Sequence, residues 1–236
     1  MRKALVVLAA AAALLAAGAQ PAGATGECRG LLVCVPIAGP WVVVPVGSRA
    51  PQPKVEYQLS CPRGYIVGGT DAEVSDRFVD VGFFGRLGSP VNPGVTTVRA
   101  AVFTGSFAGA VPRGPTFRPH VGCLPTSGGG GGPVPYRPSA GFPAAEPTIR
   151  RLRTVQLKPS RTQRVVRGCE PGERLVGAAH AIGLYRSTPP SQALTAGVRT
   201  QRTVANGRVS VDVTTTGVIR GVRAVIQVAA LCSGGR

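Results

Sequence analysis

The sequence predicts an all-β protein: two homologous, disulfide-closed antiparallel β units, sandwich-like and arranged in tandem. Three observations carry this reading. A C-x2-G-x4-G pattern at Cys61, Gly64 and Gly69 returns 108 residues later at Cys169, Gly172 and Gly177. Each copy closes on a lone cysteine, Cys123 or Cys232, at separations of 62 and 63 residues. Between these marks the chain alternates apolar and polar residues with a period of two, and beyond the N-terminal apolar run no segment keeps a helical period. A duplicated unit constrains the architecture before any other argument does.

In chain order, residues 1–24 have the form of a secretory signal peptide. Arg2 and Lys3 precede an apolar run from Leu5 to Ala17, and Ala22-Gly23-Ala24 is an A-x-A cleavage site, so the mature chain is expected to start at Thr25. The run is too short for a membrane anchor, and no later stretch is long and apolar enough to span a bilayer. Cys28 lies beyond the cleavage site and outside a lipobox-like setting, so a free secreted protein is favoured over a lipoprotein. The expected location is extracellular or at the cell envelope.

Residues 25–39 form an N-terminal segment with a small Cys28/Cys34 loop, and residues 40–123 the first unit. Trp41 to Val46 is its first apolar stretch, with Arg151 to Leu157 as counterpart in the second unit, 149–236. Val55, Tyr57 and Leu59 alternate with Glu56, Gln58 and Ser60; Val209, Val211 and Val213 alternate with Ser210, Asp212 and Thr214. Phe117, Pro119, Val121 and Cys123 share one parity, matched by Ile226, Val228, Ala230 and Cys232. Asn206-Gly207 reads as a hairpin turn. A further Gly-Val-x-Thr-x-Arg match aligns Gly94, Val95, Thr97 and Arg99 with Gly197, Val198, Thr200 and Arg202. Residues 124–148, with the glycine run 128–132 and six prolines, read as a linker. A linker favours two tandem domains; the alternative is one pseudo-symmetric domain with a long crossing loop.

The secretory signal licenses disulfides, and six cysteines allow fifteen pairings. The repeat selects Cys61 with Cys123 and Cys169 with Cys232, leaving Cys28 with Cys34. In each C-x2-G-x4-G element the cysteine ends a strand and Pro62 or Pro171 helps the turn. Gly64 or Gly172 supplies a positive φ, and Gly68-Gly69 or Gly177 admits close approach by a backbone or large side chain. A phosphate loop needs a following helix that neither copy offers. A zinc site needs closely spaced ligands, and no C-x2-C occurs.

The stretch Cys61-Pro62-Arg63-Gly64-Tyr65-Ile66-Val67-Gly68-Gly69 resembles the C-P-x-G-x4-G-G cysteine-containing repeats of secreted proteins from high-GC Gram-positive bacteria. The resemblance implies β domains with a closing cysteine, and architecture rather than chemistry. The second copy departs from it: Pro171 is shifted by one, and Ala178 and Ala179 follow Gly177.

Enzymatic chemistry finds little support, and no cofactor is expected. His120 and His180 are not equivalently placed in the two copies, and no G-x-S-x-G elbow occurs. Asp71, Glu73, Asp76 and Asp80 could cut glycosidic bonds or hold calcium weakly; the plainer reading is a solvated loop.

Charge has more functional content. Without Arg2 and Lys3 the mature chain carries 25 basic and 10 acidic side chains, a net of +15. Residues 40–123 carry 8 and 5, residues 149–236 carry 15 and 3, so the second unit holds most of the excess. Such a surface favours anionic cell-wall polymers, acidic glycans or DNA, with Arg151, Arg153, Arg164, Arg167, Arg199, Arg202, Arg220 and Arg223 as candidate contacts. Strand parity separates Arg164 from Arg167, Arg199 from Arg202 and Arg220 from Arg223, so a broadly basic surface is expected rather than a sharp arginine-lined pocket. The competing explanation is a structural or adhesive protein whose arginines reflect solubility and codon bias.

Overall fold

The computed structural model describes residues 25–47, 51–84, 99–109, 114–126 and 148–234. The first half contributes β1 (Val35–Ala38), β2 (Trp41–Val43), β3 (Val55–Ser60), β4 (Tyr65–Val74), β5 (Val79–Phe84), β6 (Ala100–Phe107) and β7 (Thr116–Pro125). The second contributes β8 (Thr148–Gln156), β9 (Thr162–Gly168), β10 (Glu173–Tyr185), β11 (Val198–Ala205), β12 (Arg208–Thr215) and β13 (Arg223–Gly234). All pairings among the described strands are antiparallel. The alternation read from sequence is what builds the core: Val209, Val211 and Val213 on β12 are buried, as are Val55, Tyr57 and Leu59 on β3. A five-residue helix, α1 (Gln192–Ala196), is capped by the Ser191 side chain. It is too short to have left a period in the sequence.

The two halves place their strands in similar order. Sheet β3-β6-β5 in the first half has its counterpart in β9-β12-β11. The pair β4–β7 corresponds to β10–β13. Both C-x2-G-x4-G elements turn at a glycine with φ near the left-handed region, +82° at Gly64 and +85° at Gly172. Both then slip register, between Val67 and Gly69 and between Leu175 and Gly177, which marks a bulge at the same place. Asn206 and Gly207 take positive φ in the β11–β12 hairpin turn. The disulfides pair Cys28 with Cys34, Cys61 with Cys123 and Cys169 with Cys232. Each long bridge joins the end of β3 or β9 to the last strand of its own copy.

Four expectations need correction. First, the segment before residue 40 is not apart from the sheet. Val35 lies opposite Cys123 as Ile149 lies opposite Cys232, so β1 and β2 together line β7 as β8 lines β13. Second, the stretch assigned to a linker begins inside a strand: Leu124 and Pro125 pair with Ile66 and Tyr65. Residues 127–147 lie outside the described residues.

Third, the Gly-Val-x-Thr-x-Arg match is not structural. Arg99 precedes β6, whereas Arg202 lies within β11, the counterpart of β5. The backbone N–H of Cys61 bonds the carbonyl of Arg99 and that of Cys169 bonds the carbonyl of Gly207, so Arg99 corresponds to Gly207. Gly94, Val95 and Thr97 lie outside the described residues. Fourth, Asp71 and Glu73 stand on β4 and Asp80 on β5, so the acidic group is not a loop; Asp76 lies in the connection between them and accepts from the Phe78 N–H.

The halves meet in one sheet. β2 pairs β7 on one edge and β10 on the other, through Val42↔Gly183 and Trp41↔Leu184. The seven-stranded sheet therefore runs from the first half into the second. Gln227 on β13 is buried, and its side-chain amide bonds both the N–H and the C=O of Gln58 on β3, at 2.7 and 3.1 Å. Arg150 on β8 pairs with Glu56 at 2.6 Å. Two apolar cores lie on either side of this junction, and Ala181 of β10 packs into the first. Two tandem units were expected; these contacts join them through a continuous sheet, because the edge of β2 needs a partner and β10 supplies it.

Candidate functional site: a cleft between the two units

β11 is an edge strand whose residues are nearly all exposed. Register shows what is unusual about it. Thr200 lies opposite Val213 and Arg202 opposite Val211, so both stand on the core-facing side of the strand. The corresponding residues of β5 are Val81, opposite Gly105, and Phe83, opposite Phe103. Where the first copy presents a valine and a phenylalanine, the second presents a threonine and an arginine.

Those two side chains overhang β10 and open a cleft of about 310 Å³ against the first unit. Its polar lining is Lys54, His180, Thr200 and Arg202. Val43, Pro45, Pro53 and Val55 supply an apolar wall from the first unit, and Ala181, Ile182 and Val198 from the second. No carboxylate is among these lining residues. Arg202 is held by a 2.9 Å bond to the carbonyl of Ala178, which leaves other N–H groups of its guanidinium available. His180 Nε2 lies 3.0 Å from Thr200 Oγ1, while its buried Nδ1 has no partner. Burial, and then the charge of Arg202, push His180 down to about 4, so its imidazole is neutral at neutral pH. The cleft's positive charge thus comes from Lys54 and Arg202, and the histidine adds a neutral hydrogen-bonding group. Apolar walls with a few convergent polar groups at a junction between units are the usual form of a small-ligand site.

The eight arginines singled out from sequence do not converge. Arg151 bonds Glu170 and, through two nitrogens, Glu173, and this holds the Glu173 carboxyl down at about 2. Arg167 adds its charge at the same carboxylate. Arg164 grips Asp212 with two bonds of 2.7 and 2.9 Å. Arg153 bonds the carbonyl of Val166, and Arg223 stacks over Tyr185 at 4.4 Å. Arg199 and Arg220 are exposed. Of the eight, only Arg202 lines the cleft. Lys54 and Thr200 were not anticipated as site residues. Aligning the copies by hairpin register rather than by the Gly-Val-x-Thr-x-Arg match would have exposed the Phe83-to-Arg202 exchange.

Elsewhere, Cys169, Glu173 and Cys232 cluster closely enough to suggest metal, but both sulfurs are in the disulfide and offer no thiolate. His120 is not isolated: its Nε2 lies 2.9 Å from Glu73 Oε1, and its Nδ1 lies 3.4 Å from Thr25 Oγ1 and 3.7 Å from Glu27 Oε1. Hydroxyl, imidazole and carboxylate follow in the order of a nucleophilic triad. The imidazole is only 5 % exposed and lies beneath residues 25–27.

The chain matches no protein-family model, and no match to it is found among curated proteins or solved structures.

Proposed function

We propose that this chain is a secreted, non-catalytic β-repeat protein of the extracellular space or cell envelope, and that it binds the acidic groups of anionic polymers in the cleft between its units. The observation that carries the binding role is the exchange of a core-facing aromatic, Phe83, for Arg202 at the same point of the repeat, beside Lys54 and with no carboxylate in the lining. An arginine where the first half carries a half-exposed phenylalanine brings a guanidinium to the cleft, with N–H groups beyond its bond to the Ala178 carbonyl free to meet an anion. The guanidinium takes carboxylate or phosphate, and the proline-and-valine wall takes the less polar body behind it. Three disulfides are compatible with the proposed compartment, and among the described residues no helix is long and apolar enough to cross a membrane.

A heparin oligosaccharide and a purified anionic wall polymer, titrated against the Thr25-to-Arg236 chain, test this. Binding is expected to be weak, to fall steeply with salt, and to drop about tenfold in Arg202→Ala at low salt. Equal binding by Arg202→Ala, or none by the parent chain at low ionic strength, overturns the assignment. A structural or adhesive role without an anionic ligand is the second reading. It is favoured by the arginines already used internally, above all Arg151 with Glu173 and Arg164 with Asp212.

A further inference from the structure

The outer face of the β4–β7 pair differs from its counterpart in the second unit. Register equates Asp71, Glu73 and His120 with Ala179, Ala181 and Ala229. In the second unit the three alanines are buried. In the first, residues 25–27, at the head of the segment that carries the Cys28–Cys34 bridge, lie against Asp71 and His120, and Glu73 stands beside them. The cover is seated backbone to backbone: a Cβ on Gly69 would lie 2.0 Å from the Glu27 carbonyl oxygen, and one on Gly122 would lie 2.3 Å from it. Only glycine fits at either position.

The cover brings in one more acid. Glu27 is 4 % exposed, its Oε1 faces His120 Nδ1 at 3.7 Å, and its Oε2 has no partner. Glu73 faces His120 and, at 3.7 Å, Arg118. Asp71 accepts from the Gly26 N–H and from its neighbour Ala72. Glu27 and Glu73 therefore flank one imidazole, Glu73 also faces one guanidinium, and Asp71 is held by backbone N–H groups. A buried carboxylate needs a cation or a set of donors, and Glu27 has only the His120 imidazole beside Oε1 and nothing on Oε2.

The missing cation is at hand in the chain itself. The nitrogen of Thr25 lies three bonds from that of Gly26, within about 3.7 Å of it by covalent geometry alone. Gly26 N is already bonded to Asp71, and Thr25 Oγ1 already touches His120. Before cleavage at Ala24 that nitrogen is a neutral amide with one N–H. After cleavage it is an ammonium with three.

We infer that Glu27 and Asp71 form a receptor for the chain's own α-ammonium, so that removal of the signal segment locks residues 25–34 onto the first unit. This rests on the secretory part of the preceding reading, not on the cleft.

Three forms of the mature chain test it: one starting at Thr25, one with Gly-Ser added before Thr25, and one Nα-acetylated at Thr25. Melting temperature and the rate of tryptic cleavage after Arg29 are the readouts. The Thr25 form is expected to melt highest and to be cut after Arg29 about tenfold more slowly than the other two, which should behave alike. In Asp71→Asn and in Glu27→Gln the advantage of the free amine should shrink. Equal melting and cleavage in all three forms overturns the receptor. So does a stabilisation by Ca²⁺ or Zn²⁺ that is the same in all three, which would make the box a metal site. The intact mass of the exported protein tests the secretory reading separately: a chain starting at Thr25 supports it, and any other start removes the α-ammonium from the box in the cell.

Discussion

β5 and β11 hold the same place in the two copies and have opposite chemistry. Val79, Val81 and Phe83 turn inward from β5, and only Phe83, 49 % exposed, leaves the core at the strand's end. Val198, Thr200 and Arg202 turn inward from β11 into a cleft. The outer faces contrast too. The second unit buries Ala181 and Gln227 against the first, and the first buries His120 beneath its own N-terminal segment together with that segment's Glu27. A duplicated fold needs both faces of each central sheet covered, but it does not need the same cover twice. Two of these exceptions to apolar filling are occupied within the chain, by the other unit and by the N-terminal segment.

The largest expected effect tests whether the units are as equal in stability as in topology. Each long disulfide closes a loop of 62 or 63 residues, and loss of either should cost about 4 kcal/mol on the chain-entropy account. Because one sheet spans both units, replacing Cys169 and Cys232 with alanine should lower a single unfolding transition rather than detach a second one. Calorimetry checks this. Two separated transitions would break the comparison at its base and restore two independent domains.

Acid should distinguish the units next. His180 has its folded value lowered to about 4 from 6.5, so the unfolded chain takes up a proton first as pH falls. Stability is therefore full above about 6.5 and declines toward 4, by at most about 3 kcal/mol. Glu173, held at about 2 by Arg151, contributes above its ordinary 4.5 and is lost as pH falls further. Register puts Ala72 and Tyr65 at these positions in the first unit. Hydrogen exchange at about pH 5 should thus show β10 opening before β4, and His180→Gln should abolish the first decline. Anion binding beside His180 should also raise its titration, which NMR can follow.

How much of this was legible in the sequence follows from what each signal depends on. The strands, the glycine turns and the disulfide partners were legible because alternation, positive-φ positions and cysteine spacing are local or are stated twice. The shared sheet was not. Trp41 and Val42 read as an apolar strand, but nothing in them says that the partner is Gly183 and Leu184. The His120 box was hidden for the same reason: Glu27, Glu73 and His120 are far apart in sequence and meet only across paired strands. The cleft was partly legible, since Arg202 and His180 were both noted. Its meaning was lost because a six-residue match aligned Arg202 with Arg99 instead of with Phe83.

The junction gives an intermediate effect. Gln227→Ala removes the amide that satisfies both backbone groups of Gln58 and should cost about 2 kcal/mol, by leaving part-buried donors and acceptors without partners. Its register counterpart in the first unit, Arg118, bonds the carbonyl of Gly39 and faces Glu73 instead. Arg118→Ala should cost less. A larger loss from Arg118→Ala in denaturant titration would mean that the N-terminal cover, not the junction, is the stronger clamp.

The smallest effect on stability should carry the largest effect on binding. Arg202→Phe gives the second unit the residue that the first unit has at the same point. The guanidinium's one fixed bond, to the Ala178 carbonyl, lies at an exposed edge where water can replace it, so stability should change by no more than about 0.5 kcal/mol. The phenyl ring can instead cover Val204 and the rim of Val211, as Phe83 meets Phe103 with ring centroids 6.0 Å apart. Binding should respond differently. With Arg202 gone, Lys54 is the cation left in the lining among the described residues, so anion affinity should fall about tenfold and the salt dependence should flatten. His180 should also titrate higher, because the charge that helps depress it has gone. If Arg202→Phe binds the polymer as tightly as the parent, the two copies differ in composition but not in function. If it is instead strongly destabilised, Arg202 belongs to the second unit's core, and the cleft is a packing defect rather than a site.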